Sequence, residues 1–140
     1  IYIGSSKMSK INDYAKFVDT TTSRESKNFM AFIDSTSKLD VQDNMNLPRV
    51  MTSAIGMLAE SGEFTEVLKK MVFQGKEFTE ENRFHMKREL GDILWYWIQG
   101  CIALGYTPDE VMDENIKKLE ARYPNGFEVA RSEKREVGDI

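Results

Sequence analysis

Two short stretches place carboxylates at a spacing that can grip a cation. Glu60-Ser61-Gly62-Glu63 and Glu89-Leu90-Gly91-Asp92 each carry two acids three residues apart. On a helix such a pair shares one face, and two antiparallel helices would bring four oxygen donors together. Acids at this spacing are common on solvated helix faces, so helical phase decides between the readings. Glu60 falls in the row Met57, Glu60, Phe64, Val67 and Met71. Glu89 falls in Met86, Glu89, Ile93 and Tyr96, with Asp92 one position round toward the same side. Each acid therefore interrupts an apolar stripe. Uncompensated carboxylates turned toward a core repel one another, and each bears a desolvation cost on the order of several kcal/mol. A divalent cation or a raised pKa relieves that cost. All four donors are hard oxygens and neither cysteine nor histidine is arranged with them, which favours magnesium, or manganese, over zinc. Gly62 and Gly91 each cost about 1 kcal/mol relative to alanine in a helix interior. They are expected to allow close approach of a neighbouring helix or a ligand; chance glycines on solvated faces are the bland alternative.

The elements that position these acids can be read from start and stop signals. Pro48 suits the first turn of a helix that runs to about Phe73, before Gly75. Thr79 caps the next, with Glu80 and Glu81 near its N-terminus, and apolar periodicity persists to Leu104 before Gly105. Thr107-Pro108-Asp109-Glu110 starts a third, which ends near Tyr123 before Pro124. Ile11 to Val18 predicts a short first helix, and Phe29 to Ile33 a second apolar segment followed by a polar loop from Ser35 to Asn46. No useful stretch alternates with the two-residue period of a strand. The fold class is all-α, a helical bundle whose long antiparallel pair carries the acids.

At 140 residues with a net charge of −4, the chain suits one domain, taken here as 8–127. Residues 1–7 read as an appended leader ahead of Met8, and 128–140 as a charged tail, mobile or ordering on a partner. The cations are dispersed, so a nucleic acid polymer is not an expected partner. The apolar run from Ile93 is too short to span a bilayer, so no membrane is expected either. A single cysteine, Cys101, and the lack of a signal-peptide pattern suggest the cytoplasm.

The combination of motifs resembles the MazG-like all-α nucleoside triphosphate pyrophosphohydrolases, related to the dimeric dUTPases and phosphoribosyl-ATP pyrophosphatases. Glu60-x-x-Glu63, a spacer of 25 residues and Glu89-x-x-Asp92 match the family's acidic signature, and Leu90-Gly91-Asp92-Ile93-Leu94-Trp95-Tyr96 looks like its second helix. Leu104-Gly105, Glu110-Val111, Asn115-Ile116-Lys117-Lys118-Leu119 and Arg122-Tyr123-Pro124-Asn125-Gly126-Phe127 are similar to its closing helix and turn. The likeness spans about Met51 to Phe127. It implies magnesium on the four acids, Lys118 and Arg122 on the triphosphate with Asn115 lining the same pocket, and cleavage to monophosphate and pyrophosphate in nucleotide-pool control or house-cleaning. Independently, Asn115, Lys118 and Arg122 share one helix face by spacing, although two solvated cations on a surface helix would look the same.

Which acid activates water stays open, with Glu60 and Glu63 the candidates. Trp95 either stacks on the base or packs at a core or subunit interface. Trp97 and Cys101 read as core. His85 could approach phosphate but is expected at the surface or behind the ligands, and Lys87 and Arg88 are weaker candidates still. No GxxxxGK[ST] loop is present, which disfavours a P-loop ATPase. Two further readings are a non-catalytic helical binding or assembly module holding a structural cation, and a di-iron bundle. The latter wants glutamate with histidine three residues on, a pattern the chain lacks. An acidic face on a three-helix core would be too open, so a homodimer or homotetramer is expected.

Overall fold

The computed structural model describes residues 9–40 and 45–140. The expected leader and part of the 35–46 loop therefore lie outside the described residues. The chain divides into two compact units, Ile1–Gln42 and Asp43–Ile140. All regular elements among the described residues are helical.

In the first unit, α1 (Lys10–Thr21) is capped by the Ser9 hydroxyl, which accepts from the Asn12 amide. A 3-10 turn, Arg24–Ser26, leads to α2 (Phe29–Asp40). The loop expected from Ser35 is a correction: Ser35 to Asp40 continue α2. Thr36 explains why polar residues stay helical here, because its hydroxyl donates to the carbonyls of Phe32 and Ile33. An Asp34–Lys38 pair one turn apart adds support.

The second unit carries the site. In α3 (Leu47–Gln74), Asn46 accepts from the Arg49 amide and Pro48 lies in the first turn. The helix stops at Gly75, whose φ of 65° is left-handed backbone that favours glycine. In α4 (Glu80–Ala103), the Thr79 hydroxyl caps Asn82. In α5 (Pro108–Arg122), Thr107 and Glu110 form the expected capping box. The segment expected as a tail carries a short α6 (Val129–Glu133) and returns to α5 through Asp139, which accepts from Arg122.

α3 and α4 form the dominant contact. Partners run in opposite order along the two helices: Arg49 with Gln99, Ser53 with Tyr96, Glu60 with Glu89 and Glu63 with His85. The pair is antiparallel, as expected. Its closest approach is not at Gly62 or Gly91, where an added Cβ would meet nothing within 4 Å. It is at Gly56, where a Cβ would run into the Tyr96 ring, and at Gly100, where it would meet the Ser53 hydroxyl. Ser53 donates to the Tyr96 carbonyl at 2.7 Å in the same layer. Among the described residues the buried apolar side chains are few: Val67, Cys101 and Ala103. Large side chains such as Leu58 and Phe73 stand about four-fifths exposed, at 77% and 82%. The hairpin thus leaves much apolar surface uncovered.

Candidate active site

Glu60 and Glu89 lie on the faces that α3 and α4 turn to each other, as helical phase predicted. Along α3, Met57, Glu60, Phe64 and Met71 are half-buried and Val67 is buried, while Glu63 is exposed. Along α4, Glu89 is buried between half-buried Met86, Ile93 and Tyr96, and Asp92 is exposed. Each pair therefore offers one acid wedged between helices and one at the rim.

Ligand atoms of Glu60, Glu89 and Asp92 all lie within 4.8 Å of one another, and so do those of Glu63, His85 and Glu89. Glu89 belongs to both groups and links all four acids. His85 Nε2 lies 3.0 Å from Glu89 Oε1. This corrects the expectation that no histidine is arranged with the acids: spacing placed His85 one turn before Glu89, and the α3–α4 register adds Glu63 to the pair. The other oxygen, Glu89 Oε2, is buried and has no hydrogen-bond partner among the described residues. A buried acceptor without a donor costs about 1–3 kcal/mol, and more when charged.

Glu60 bears the electrostatic consequence. Its carboxyl is held above the ordinary carboxylate range, chiefly through its hydrogen bond to Glu89, then by partial burial and the charges of Glu89, Asp92 and Glu63. A hydrogen bond between two carboxyl groups needs a proton on one of them, so the neighbouring Glu89 favours the protonated form of Glu60. A proton or a cation would relieve the repulsion in the cluster, and the oxygen-only group of Glu60, Glu89 and Asp92 could hold a divalent cation. The folded state of the metal-free protein holds more protons here than the unfolded chain, so its stability falls as pH rises from the ordinary glutamate value through the raised one. We expect the thermal midpoint in chelator to decline over that interval, and a bound divalent cation to abolish the decline. Flat midpoints in chelator would remove the repulsion.

The remaining candidates are placed elsewhere. Trp95 is 56% exposed, edge-on to Tyr96 with ring centroids 4.9 Å apart. Trp97 is half-buried and Cys101 buried, as expected of core residues. Arg88 lies over the Phe84 ring, and Lys87 lines a shallow surface hollow with Phe64 and Leu90. On α5, Asn115 is exposed whereas Lys118 and Arg122 are half-buried. Arg122 grips Asp139 with two hydrogen bonds, 2.8 and 2.6 Å, which lower the Asp139 pKa and raise that of Arg122. Lys118 and Arg122 line a cavity of about 360 Å³ with the final segment. No hydrogen bond or ion pair among the described residues joins Asn115, Lys118 or Arg122 to the four acids.

The sequence profile of the MazG nucleotide pyrophosphohydrolase domain matches residues 51–127. The chain belongs to the MazG family. The matched MazG region lies within the second unit and contains all four acids and the α5 cations. A curated relative, the Gene 37 protein of Mycobacterium phage L5, is 34% identical over 74 residues, covering 51% of this chain and 64% of that protein. The chain thus matches under two thirds of that relative's length. No solved structure matches it. The MazG domain's description points to nucleotide pyrophosphohydrolase activity. Among the described residues no helix is long and apolar enough to cross a membrane.

Proposed function

We propose that this domain hydrolyses (deoxy)nucleoside triphosphates to the monophosphate and pyrophosphate, with Glu60, Glu63, Glu89 and Asp92 holding magnesium, or manganese, at the reacting phosphates. The observation that carries the reading is the convergence of these acids around Glu89, whose Oε2 is buried without a donor, in a MazG domain. When bound, the cation neutralises charge on the phosphate oxygens and on the leaving pyrophosphate. The chain supplies everything else. Glu60 or Glu63 accepts the proton of the attacking water. Trp95, exposed one turn beyond Asp92, offers its ring to the base.

Asn115, Lys118 and Arg122 contact the triphosphate in this reading. The two-bonded grip on Asp139 has the fork geometry that guanidinium uses on phosphate. Asp139 then competes with substrate for Arg122. Asp139→Asn is expected to lower KM roughly three- to tenfold with little change in kcat, measured by steady-state kinetics. An unchanged KM would take Arg122 out of the substrate contacts.

The uncovered apolar side chains of α3 and α4 favour a homodimer or homotetramer. Assembly would also let the α5 cations of one copy face the acids of another. The domain would act in the cytoplasm on the nucleotide pool. The test is to incubate it with magnesium and a panel of ribo- and deoxynucleoside triphosphates and resolve the products. At least one substrate should give monophosphate and pyrophosphate; turnover of none would end the proposal.

A further inference from the structure

Glu63 stands outside the oxygen-only group of Glu60, Glu89 and Asp92, and the α3–α4 register gives it a different companion. His85 and Glu89 lie one turn apart on α4 and share a face, and Glu63 meets them from α3 with ligand atoms of all three within 4.8 Å of one another. This group differs from the other in kind. His85 brings a nitrogen, and it is the chain's single histidine. Its side chain is 50% exposed and that of Glu89 only 11%, so the imidazole stands at the mouth and the carboxylate at the floor. His85 Nε2 lies 3.0 Å from Glu89 Oε1. Two donors about 2.1 Å from one ion and at right angles to it stand about 3.0 Å apart, so an ion can replace the hydrogen between them with little movement of either atom. The neutral imidazole then keeps its hydrogen on Nδ1 and offers the Nε2 lone pair. Glu63, exposed on the rim, is free to close onto the same ion.

Charge and burial favour a second ion beside the first. Four carboxylates carry twice the charge of one divalent cation. Lys69 and Lys70, on the same helix as Glu63, pair with Glu66 instead, at 3.4 and 3.9 Å. Glu89 is 8% exposed and its Oε2 has no hydrogen-bond partner among the described residues, so the carboxylate shared by both groups retains an unmet acceptor at their junction. A cavity of about 280 Å³ with Glu63 and His85 in its wall leaves room for the waters that complete an ion's shell.

We propose that Glu63, His85 and Glu89 form a second cation site, with His85 Nε2 as a direct ligand, which selects a first-row transition ion over magnesium. Imidazole suits such ions, whereas magnesium keeps to oxygen donors and sheds its water reluctantly. Glu89 bridges this ion and the one held by Glu60 and Asp92. The site adds to the metal centre of the hydrolysis argued above, and it is read by binding alone.

Manganese(II), titrated calorimetrically into the metal-free chain without a histidine tag and compared with magnesium, is the probe. Wild type should take two manganese ions, and pulsed electron paramagnetic resonance should show manganese coupled to an imidazole nitrogen, which His85 alone can supply. His85→Gln keeps a hydrogen-bonding side chain beside Glu89, yet it should abolish the coupling and weaken one ion by about 10- to 100-fold, the loss typical even of residues that only support a metal ligand. His85 is exposed, so the far-ultraviolet circular dichroism of the variant should match wild type. Asp92→Asn alters only the oxygen-only group and should keep the coupling. A single manganese ion in wild type, no nitrogen coupling, coupling that survives His85→Gln, coupling lost in Asp92→Asn, or magnesium preferred at the ion that depends on His85 would each overturn the site. Absence of triphosphate turnover would instead count against the enzymatic reading, and the spectra separate the two failures.

Discussion

Glu89→Gln is expected to reduce kcat by about a thousandfold while raising the thermal midpoint of the metal-free protein. Loss of one preorganised charge-stabilising group typically costs about a hundred- to a thousandfold in rate. Glu89 stands at the upper end because both ligand groups include it. The opposite sign for stability follows from the same position. Its Oε2 is buried without a donor, and the proton affinity of the neighbouring Glu60 carboxyl is already raised. Glutamine removes one of the repelling charges and supplies an N–H donor. Wild type should recover stability with magnesium by linkage, about 2.7 kcal/mol at a hundredfold excess over Kd, and the variant should recover little. Calorimetric unfolding with and without magnesium, beside steady-state kinetics, reads all three effects. A variant both active and magnesium-stabilised would remove Glu89 from the cation site.

Gly56→Ala is the second large effect, and it separates the glycines of the hairpin. In an open helix interior this change gains up to about 1 kcal/mol. At Gly56 the new Cβ would run into the Tyr96 ring. That ring has little room to move, because Trp95 lies edge-on to it and the Tyr96 carbonyl accepts from Ser53. Overpacking should outweigh the propensity gain and leave a net loss of about 1–3 kcal/mol. Gly62→Ala and Gly91→Ala meet nothing within 4 Å and should be neutral or stabilising by up to about 1 kcal/mol. Chemical denaturation of the three variants gives the ranking. Equal effects would show that α3 and α4 do not close at the Ser53–Gly56 layer.

The contrast among these glycines shows what could be read from residues alone. Helix boundaries were legible at Pro48, Thr79 and Thr107 because starts and caps are decided within one turn of chain. The anomaly of Glu60 and Glu89 was legible for a similar reason, since phase along one helix is local. Which glycines meet the other helix depends on register between helices, so the helix alternative drawn from Gly62 and Gly91 fell on the wrong layer while the ligand alternative is untouched. A signal did exist: Ser53 and Gly56 extend the Glu60 stripe with small residues, the usual mark of close helix contact. Arg122 with Asp139 joins groups 17 residues apart through a segment with no helical periodicity, so nothing local announced it. In α2, Ser35 to Asp40 look like loop by composition and are helical partly because the Thr36 hydroxyl bonds back to its own turn.

In the proposed reaction the acids around Glu89 direct water to the phosphate whose leaving group is pyrophosphate. Hydrolysis of a responsive nucleoside triphosphate in ¹⁸O-enriched water with magnesium, followed by mass spectrometry, tests it most directly. One labelled oxygen is expected in the monophosphate, with unlabelled pyrophosphate and no label transfer in chelator. Nucleoside diphosphate with labelled orthophosphate, or label in pyrophosphate, would contradict it.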